Sequence, residues 1–480
     1  MAESLGNKAA KGAVWATIDR FGTMGLQFIV NLILARLLFP ADFGAIGMIT
    51  IFISVSQVII DGGFASALIQ KKVPTQTDYS TIFYWNLGLS ASIYLIIFAI
   101  SPFVSEFFKM PVLCDVLRVL ALSLIAQSIL ALQVTRLRKV LAFKKIAVTN
   151  IAAYVAGGLV GVVLAYSGFG VWSLVAMQIS IYVLSLVIYF VITRWLPSMC
   201  FSMATMKELF SFGGFIMAAN LLQSICQNLQ GIIIGRKFSA AQMGYYSQAY
   251  KLDHVCSYSI PQIIVSVMYP VYSSLQDELE RLRKILLMNI RVLSFLIFPL
   301  MGLLIVVAEP LIVGLYGDKW LQSVPYFRIL CVGGIFVCLQ NVNFYAVAAV
   351  GRSKALFYWS FYKWGFLLSA LLIGMIFGMY GILWGMVSSS VNIFLTNSFL
   401  TSKYVGLPVR TQVACLLPVM IVCLLCTGIA YMAIHTFGLH PIASALLFIV
   451  LYLTICRLSH LRAVSETQAV FKRILKKNRI

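Results

Sequence analysis

The chain has 480 residues, is 61% hydrophobic and only 11% charged, and carries a formal net charge of +21. So apolar a composition excludes a soluble globular protein and implies a polytopic membrane protein. The positive charge lies in short connections between apolar runs, where it reads as a topology signal and not as a nucleic-acid surface.

Crossing a hydrocarbon core of about 30 Å takes roughly twenty residues of helix. Fourteen stretches reach that length: 12–36, 41–69, 80–105, 113–135, 146–166, 169–193, 208–235, 240–272, 285–307, 323–350, 354–377, 379–402, 412–434 and 441–457. The expected fold is therefore an all-α membrane protein with about fourteen transmembrane helices. Asp19 and Arg20 interrupt the first run and no small-residue cleavage site follows it, so that helix is expected to stay as a signal anchor.

Within Thr17–Arg36, residues Arg20, Thr23, Gln27 and Asn31 recur at steps of three and four, which stacks them along one helix face. One side of this membrane helix is expected to be wet. Two hundred residues later Asn220, Gln223 and Gln227 take the places of Arg20, Thr23 and Gln27, and Ala35-Arg36, Ala41 and Gly44 are matched by Gly235-Arg236, Ala241 and Gly244. Phe169-Gly170-Val171 and Tyr380-Gly381-Ile382 likewise open the sixth and twelfth spans after an outer turn. Two halves of six spans share one orientation, so the repeat is parallel, about an axis along the membrane normal. The expected organisation is an N-lobe over 1–193, a cytoplasmic linker over 194–207, a C-lobe over 208–404, two accessory spans over 405–458 and a basic cytoplasmic tail over 459–480. The two lobes are expected to face each other across a polar, cationic cavity.

With the N-terminus inside, twenty-five cations fall in inner segments and five (Arg36, Lys109, Arg236, Lys237 and Lys319) in outer ones. A five-to-one bias is a strong positive-inside signal, and an even number of spans returns the C-terminus to the cytoplasm. The last two spans carry no charge between Arg410 and Arg457 apart from His435 and His440. They read either as apolar bulk, facing lipid on nearly every side, or as a surface that handles the lipid part of a substrate. The tail alternates cations with apolar residues over Val470–Lys477, consistent with an interfacial helix on an anionic leaflet.

Six cations remain inside spans: Arg20, Arg118, Lys251, Arg291, Arg328 and Lys363. A charge at the centre of a lone helix costs about 2.5–3.5 kcal/mol on insertion scales, so each must face a cavity, find a partner or snorkel. Arg20 lies about 13 Å beyond Lys11 and Lys251 about 16 Å from the outer end of its span, too deep to snorkel with ease. Their bland alternatives are pairing with Asp19 and with Asp253. Ser247, His254 and Tyr258 share a face with Lys251. Arg118 can close on Asp115 one turn away; Arg291, Arg328 and Lys363 are near enough to a span end to snorkel. The polar runs Gln340-Asn341 with Asn343, and Ser389, Asn392 and Thr396, suit helix packing as well as a cavity.

The candidate substrate-binding set is thus Arg20, Thr23, Gln27, Asn31, Arg118, Asn220, Gln223, Gln227, Ser247, Lys251, His254, Arg291 and Lys363. Ion-coupling candidates are Asp61, Asp253 and His254; Asp61 precedes Gly62-Gly63, which otherwise marks a kink. The ten cysteines lie mostly in apolar runs without ligand-like spacing and read as small core residues. No P-loop is present, no four-histidine constellation forms a catalytic set, and no cofactor or metal is called for. Energy for transport must come from an ion gradient or a separate subunit.

Gln27-Phe28-Ile29, Leu34-Ala35-Arg36-Leu37-Leu38 and Pro40-Ala41-Asp42-Phe43-Gly44 resemble the start of Wzx-type polysaccharide flippases, in the colanic-acid and lipopolysaccharide exporter branch. So do Gly244-Tyr245-Tyr246-Ser247-Gln248-Ala249-Tyr250-Lys251-Leu252, Tyr269 through Asp277, and Leu330-Cys331 through Gly351-Arg352. The resemblance implies the multidrug/oligosaccharidyl-lipid/polysaccharide exporter fold, alternating access, and a bacterial inner-membrane protein that moves undecaprenyl-pyrophosphate-linked oligosaccharide to the periplasmic leaflet. It implies no enzyme activity, and it implies membrane lipids, a polysaccharide polymerase and a chain-length regulator as partners. In the related flippase for the peptidoglycan precursor, cavity arginines on helices 1 and 8 are associated with the pyrophosphate, and helices 13 and 14 hold the polyprenyl tail. By motif position the arginines look like Arg20 and Lys251 here, the lysine keeping the charge but losing the planar fork. A cation-coupled multidrug exporter of the same fold and a flippase for a peptidoglycan precursor are the alternatives.

Overall fold

A computed structural model describes residues 5–259 and 268–477. All regular structure among these residues is helical, as lipid demands of a backbone that must satisfy its own polar groups. The chain divides into two compact units, Met1–Gly244 and Tyr245–Ile480. The first contains α1 (Leu5–Leu37), α2 (Pro40–Asp61), α3 (Phe64–Gln70), α4 (Gln76–Phe107), α5 (Val112–Lys139), α6 (Phe143–Tyr166), α7 (Val171–Thr193), α8 (Met203–Lys237) and the first turn of α9 (Ala240–His254). The second holds the rest of α9, a π-helical continuation over Val255–Ser259, then α10 (Leu279–Val306), α11 (Ala308–Tyr316), α12 (Ser323–Ala349), α13 (Ser353–Ile376), α14 (Gly378–Val405), α15 (Val409–His435), α16 (Pro441–Leu458) and α17 (Arg462–Lys477).

Twelve helical stretches among the described residues are long and apolar enough to cross a membrane, and each coincides with an expected span. The seventh expected span is α8, one continuous helix of 35 residues. The eighth begins as α9, and its continuation over 260–267 lies outside the described residues.

Local chemistry sets the breaks. Gly62 and Gly63 end α2 with φ of 54° and 73°, a backbone that a Cβ would strain, so the expected kink at Asp61 is a full interruption before α3. Thr75 caps α4: its Oγ1 accepts from the Asp78 N–H at 3.2 Å, while Asp78 Oδ2 accepts from the Thr75 N–H at 2.7 Å.

The packing order repeats. In the first unit α4 packs on α5, α5 on α7 and α6 on α7; in the second α10 packs on α12, α12 on α14 and α13 on α14. These are the same three pairings, spans 3·4, 4·6 and 5·6 against 9·10, 10·12 and 11·12. In addition α1 packs on α6, and α8 packs on α2, α3 and α4.

The accessory helices α15 and α16 do not face lipid on nearly every side, as one reading of the sequence expected, because both pack on α10. Pro299 removes the N–H that would have bonded the Phe295 carbonyl, and the Tyr452 hydroxyl of α16 donates to that carbonyl at 3.0 Å. Their remaining faces are greasy and open, with Leu424, Leu425, Leu446 and Val450 all exposed. The tail is the helix α17, which packs on α10; its side chains from Val470 on lie outside the described residues.

Candidate functional site

In the first unit, α1 turns one face to α6. Gln27 Nε2 donates to the Tyr154 hydroxyl at 2.7 Å. Asp19 Oδ1 accepts from Asn150 Nδ2 at 3.0 Å, and Asn150 Oδ1 in turn accepts from the Tyr189 hydroxyl at 3.1 Å. The acid next to Arg20 is therefore committed to α6 and α7. Arg20 itself is exposed, on a different face of α1, and among the described residues its guanidinium has neither an ion-pair nor a hydrogen-bond partner. The pairing of Arg20 with Asp19 that competed with a cavity role is absent.

Thr23 returns its hydroxyl to the Asp19 carbonyl of its own helix, and Asn31 is half-buried. Asn220, Gln223 and Gln227 are all exposed along α8, whereas Cys226 and Gln230 between and beyond them are buried. Asp61 is half-buried at the end of α2. Arg118 does not close on Asp115. Its Nε donates to Ser101 Oγ at 2.8 Å, beside Pro102 of α4, and its guanidinium lies 4.1 Å from the ring centroid of Phe98, one turn before that proline.

Where α3 leads into α4, Lys71 Nζ meets Asp78 Oδ1 at 3.1 Å and Glu208 Oε2 of α8 at 3.2 Å. Burial works against the Lys71 charge, but hydrogen bonds and attraction from the two carboxylates outweigh it and hold the ammonium above the usual lysine pKa. Lys139 Nζ donates to the carbonyls of Ile69 and Lys71 and fixes the turn.

In the second unit, α9 carries a column of rings. Tyr246–Tyr250, Tyr250–His254 and His254–Tyr258 have centroids 5.7, 5.7 and 4.7 Å apart. Ser247 and His254 are half-buried and Lys251 is exposed on the same side. Asp253 turns elsewhere: it is buried, and its Oδ2 accepts from Ser257 Oγ at 3.0 Å. Gly334 of α12 makes room for it, since a Cβ there would lie 2.8 Å from Asp253 Oδ1. Asp253 Oδ1 has no partner among the described residues.

The remaining cations divide. Arg291 is a correction to the expected substrate set. Its Nε donates to Glu466 Oε2 at 2.7 Å and its Nη2 to Glu466 Oε1, a bidentate pair that ties α10 to α17 and occupies the fork an anion would need. Arg328 donates to the Ile305 carbonyl at 3.3 Å. Lys363 is buried, with Nζ 5.8 Å from the Phe344 ring centroid. Of the polar runs of α12 and α14, Asn343 takes part in helix packing: its Nδ2 donates to Ser398 Oγ at 3.2 Å, and nearby Asn397 Nδ2 donates to the Gln340 backbone carbonyl at 2.9 Å.

Sequence reading passed over Asn150, Tyr154 and Tyr189, which position Asp19 and Gln27, and over Glu208 and Glu466. Each is a lone polar residue whose partner is more than a hundred residues away or in another helix, and only Asn150, a polar residue inside an apolar span, gave any signal. Among the described residues no group of three His, Cys, Asp or Glu side chains could hold a metal ion.

Residues 33–325 match a family described as polysaccharide biosynthesis protein. The chain is 26% identical to the teichuronic acid biosynthesis protein TuaB of Bacillus subtilis over 364 residues, 74% of each chain. It is also 26% identical to the lipopolysaccharide biosynthesis protein WzxC of Escherichia coli over 381 residues, 77% of this chain and 76% of that one. Among solved structures, the lipid II flippase MurJ in an inward closed conformation superposes with a TM-score of 0.72 at 14% identity, covering 96% of this chain and 99% of that one. The chain thus has a MurJ-like, all-helical, multi-pass membrane fold.

Proposed function

Because this chain belongs to the polysaccharide biosynthesis protein family, we propose that it is a flippase for a lipid-linked oligosaccharide, of the undecaprenyl-pyrophosphate type, in a bacterial inner membrane. Both termini are cytoplasmic, and the glycan moves from the cytoplasmic to the periplasmic leaflet by alternating access coupled to an ion gradient. A polymerase and a chain-length regulator act on the exported unit.

The difficult part of such a substrate is its pyrophosphate, which loses the water that stabilises it on leaving the leaflet surface. Fixed cations can replace that water through charge-assisted hydrogen bonds. The observation that carries this reading is Arg20, exposed inside a membrane helix while its neighbouring acid is bonded to Asn150. Lys251 supplies a second exposed cation on α9. Gln27, Asn220, Gln223 and Gln227 offer amides to sugar hydroxyls, and the isoprenoid tail stays among lipid chains beside the apolar faces of α15 and α16. Arg291 is left out of this set. The buried Lys363 tunes the second unit from within, and Asp253 and Asp61 are the places for a coupling ion.

A drug exporter of the same fold holds cations with exposed carboxylates, and here Asp19 and Asp253 are both bonded to neighbours. The test is charge reversal. Arg20→Glu with Lys251→Glu is expected to abolish surface polysaccharide while full-length protein stays in the membrane at its normal level. Wild-type polymer from such a strain rejects the reading.

A further inference from the structure

Accepting the flippase reading, we propose that α2 carries both gates of the transport cycle: a reciprocal glycine crossing at its outer end and a charged, aromatic latch at its inner end. At the outer end the first turns of α2 and α9 meet backbone to backbone. A Cβ on Gly44 would lie 1.8 Å from the Ala240 carbonyl oxygen, and a Cβ on Gly244 would lie 1.8 Å from the Pro40 carbonyl oxygen. Pro40 and Ala240, like Gly44 and Gly244, are separated by the two-hundred-residue period of the repeat. The contact is therefore isologous, each half presenting the same glycine to the same carbonyl of the other. No side chain can bridge this crossing, and none can occupy it.

The inner end is built differently. Gly63, just past the break in α2, approaches Gly213 of α8 so closely that a Cβ would lie 2.2 Å from the Gly213 carbonyl oxygen. Next to it the Phe64 and Phe210 rings stand 6.2 Å apart. Met206 and Leu209 of α8 enter the core formed by Phe64, Leu68, Ile82 and Trp195. The Lys71–Glu208 pair at 3.2 Å closes the outer edge of this latch, and Glu208 is mostly exposed.

By the sequence repeat α8 opens the second half of the chain, yet along its length it is held to helices of the first. Between the two ends Gly231 and Gly235 continue the close approach, facing the Gly47 carbonyl and the Met48 side chain. Releasing the glycine crossing frees the outer end of α8 and α9; releasing the latch frees the inner end of α8. A helix held at both ends can move at neither, and transport requires the two holds to let go in turn.

The experiment reads access and needs no substrate. A cysteine replaces Gln223 on the polar face of α8, and an impermeant thiol reagent is applied to intact cells or to inverted vesicles, with modification at position 223 resolved from the native cysteines by mass spectrometry. Gly44→Ala or Gly244→Ala is expected to raise labelling from the outside by about fivefold or more, the shift that overpacking a tight contact produces, and to leave labelling from the inside unchanged or lower. Glu208→Lys, which opposes Lys71 while leaving its pair with Asp78 at 3.1 Å in place, is expected to raise labelling from the inside alone, and Glu208→Asp to keep close to the parent value. Unchanged labelling, or an equal rise on both sides, overturns the assignment. The expected changes in access without any polysaccharide defect overturn the flippase reading and leave the gates standing, so the two failures are distinguishable.

Discussion

Arg20 and Arg291 are the same residue type well inside two apolar helices, and the molecule uses them in opposite ways. On α1 the nearby acid, Asp19, is bonded to Asn150, and Arg20 is left exposed with its donors unspent. On α10 a glutamate arrives from the tail helix and takes the Arg291 guanidinium in a bidentate pair. The energetic problem is identical, a cation removed from bulk water. What differs is where the nearest carboxylate is spent, and on that difference rests the proposal that Arg20 works on substrate while Arg291 is structural.

The strongest way to break the contrast is to reverse each charge in turn. Arg20→Glu alone is expected to bring surface polysaccharide to background while the melting temperature of the purified protein in detergent stays within a degree or two of the parent. A large drop in melting temperature would place Arg20 with Arg291 among structural residues. Arg291→Met is expected to act the other way: it strands Glu466 and costs somewhat less than the roughly 3–5 kcal/mol of a fully buried broken pair, because both side chains keep partial contact with solvent at 17% and 23% exposure. The double variant Arg291→Met, Glu466→Met should recover most of that loss, and export should follow the amount of folded protein.

Smaller effects sharpen the picture. Asn150→Ala removes the donor that holds Asp19 and is expected to cost about 1–3 kcal/mol in denaturant unfolding. It should also lower export, since Asp19 is then free to compete for Arg20. Tyr452→Phe leaves the Phe295 carbonyl without its donor beside Pro299; the expected loss is about 1 kcal/mol with export unchanged.

Much of this architecture could be read from residue order. The expected spans 113–135 and 379–402 appear as Val112–Lys139 and Gly378–Val405, because runs of apolar residues closed by cations or glycine leave lipid-embedded backbone few options. Gly62-Gly63 announced a break for the same local reason. The repeat seen in Gly44 and Gly244 was legible as a pattern, but its physical meaning, two backbones crossing where no side chain fits, needed three dimensions. Arg291 was misread because Glu466 is 175 residues away in sequence, and no periodicity within α10 points to it. Likewise the commitment of Asp19 depends on Asn150 in another helix.

The most direct test of the central claim, that exposed intramembrane cations carry an anionic headgroup across, is to measure how much lipid-linked oligosaccharide is accessible in each leaflet of cells making the wild-type or the Arg20→Glu protein at equal levels. The account predicts that the intermediate reaches the outer leaflet with the wild-type protein and accumulates in the inner leaflet with the variant. Equal outer-leaflet amounts in the two strains would contradict it.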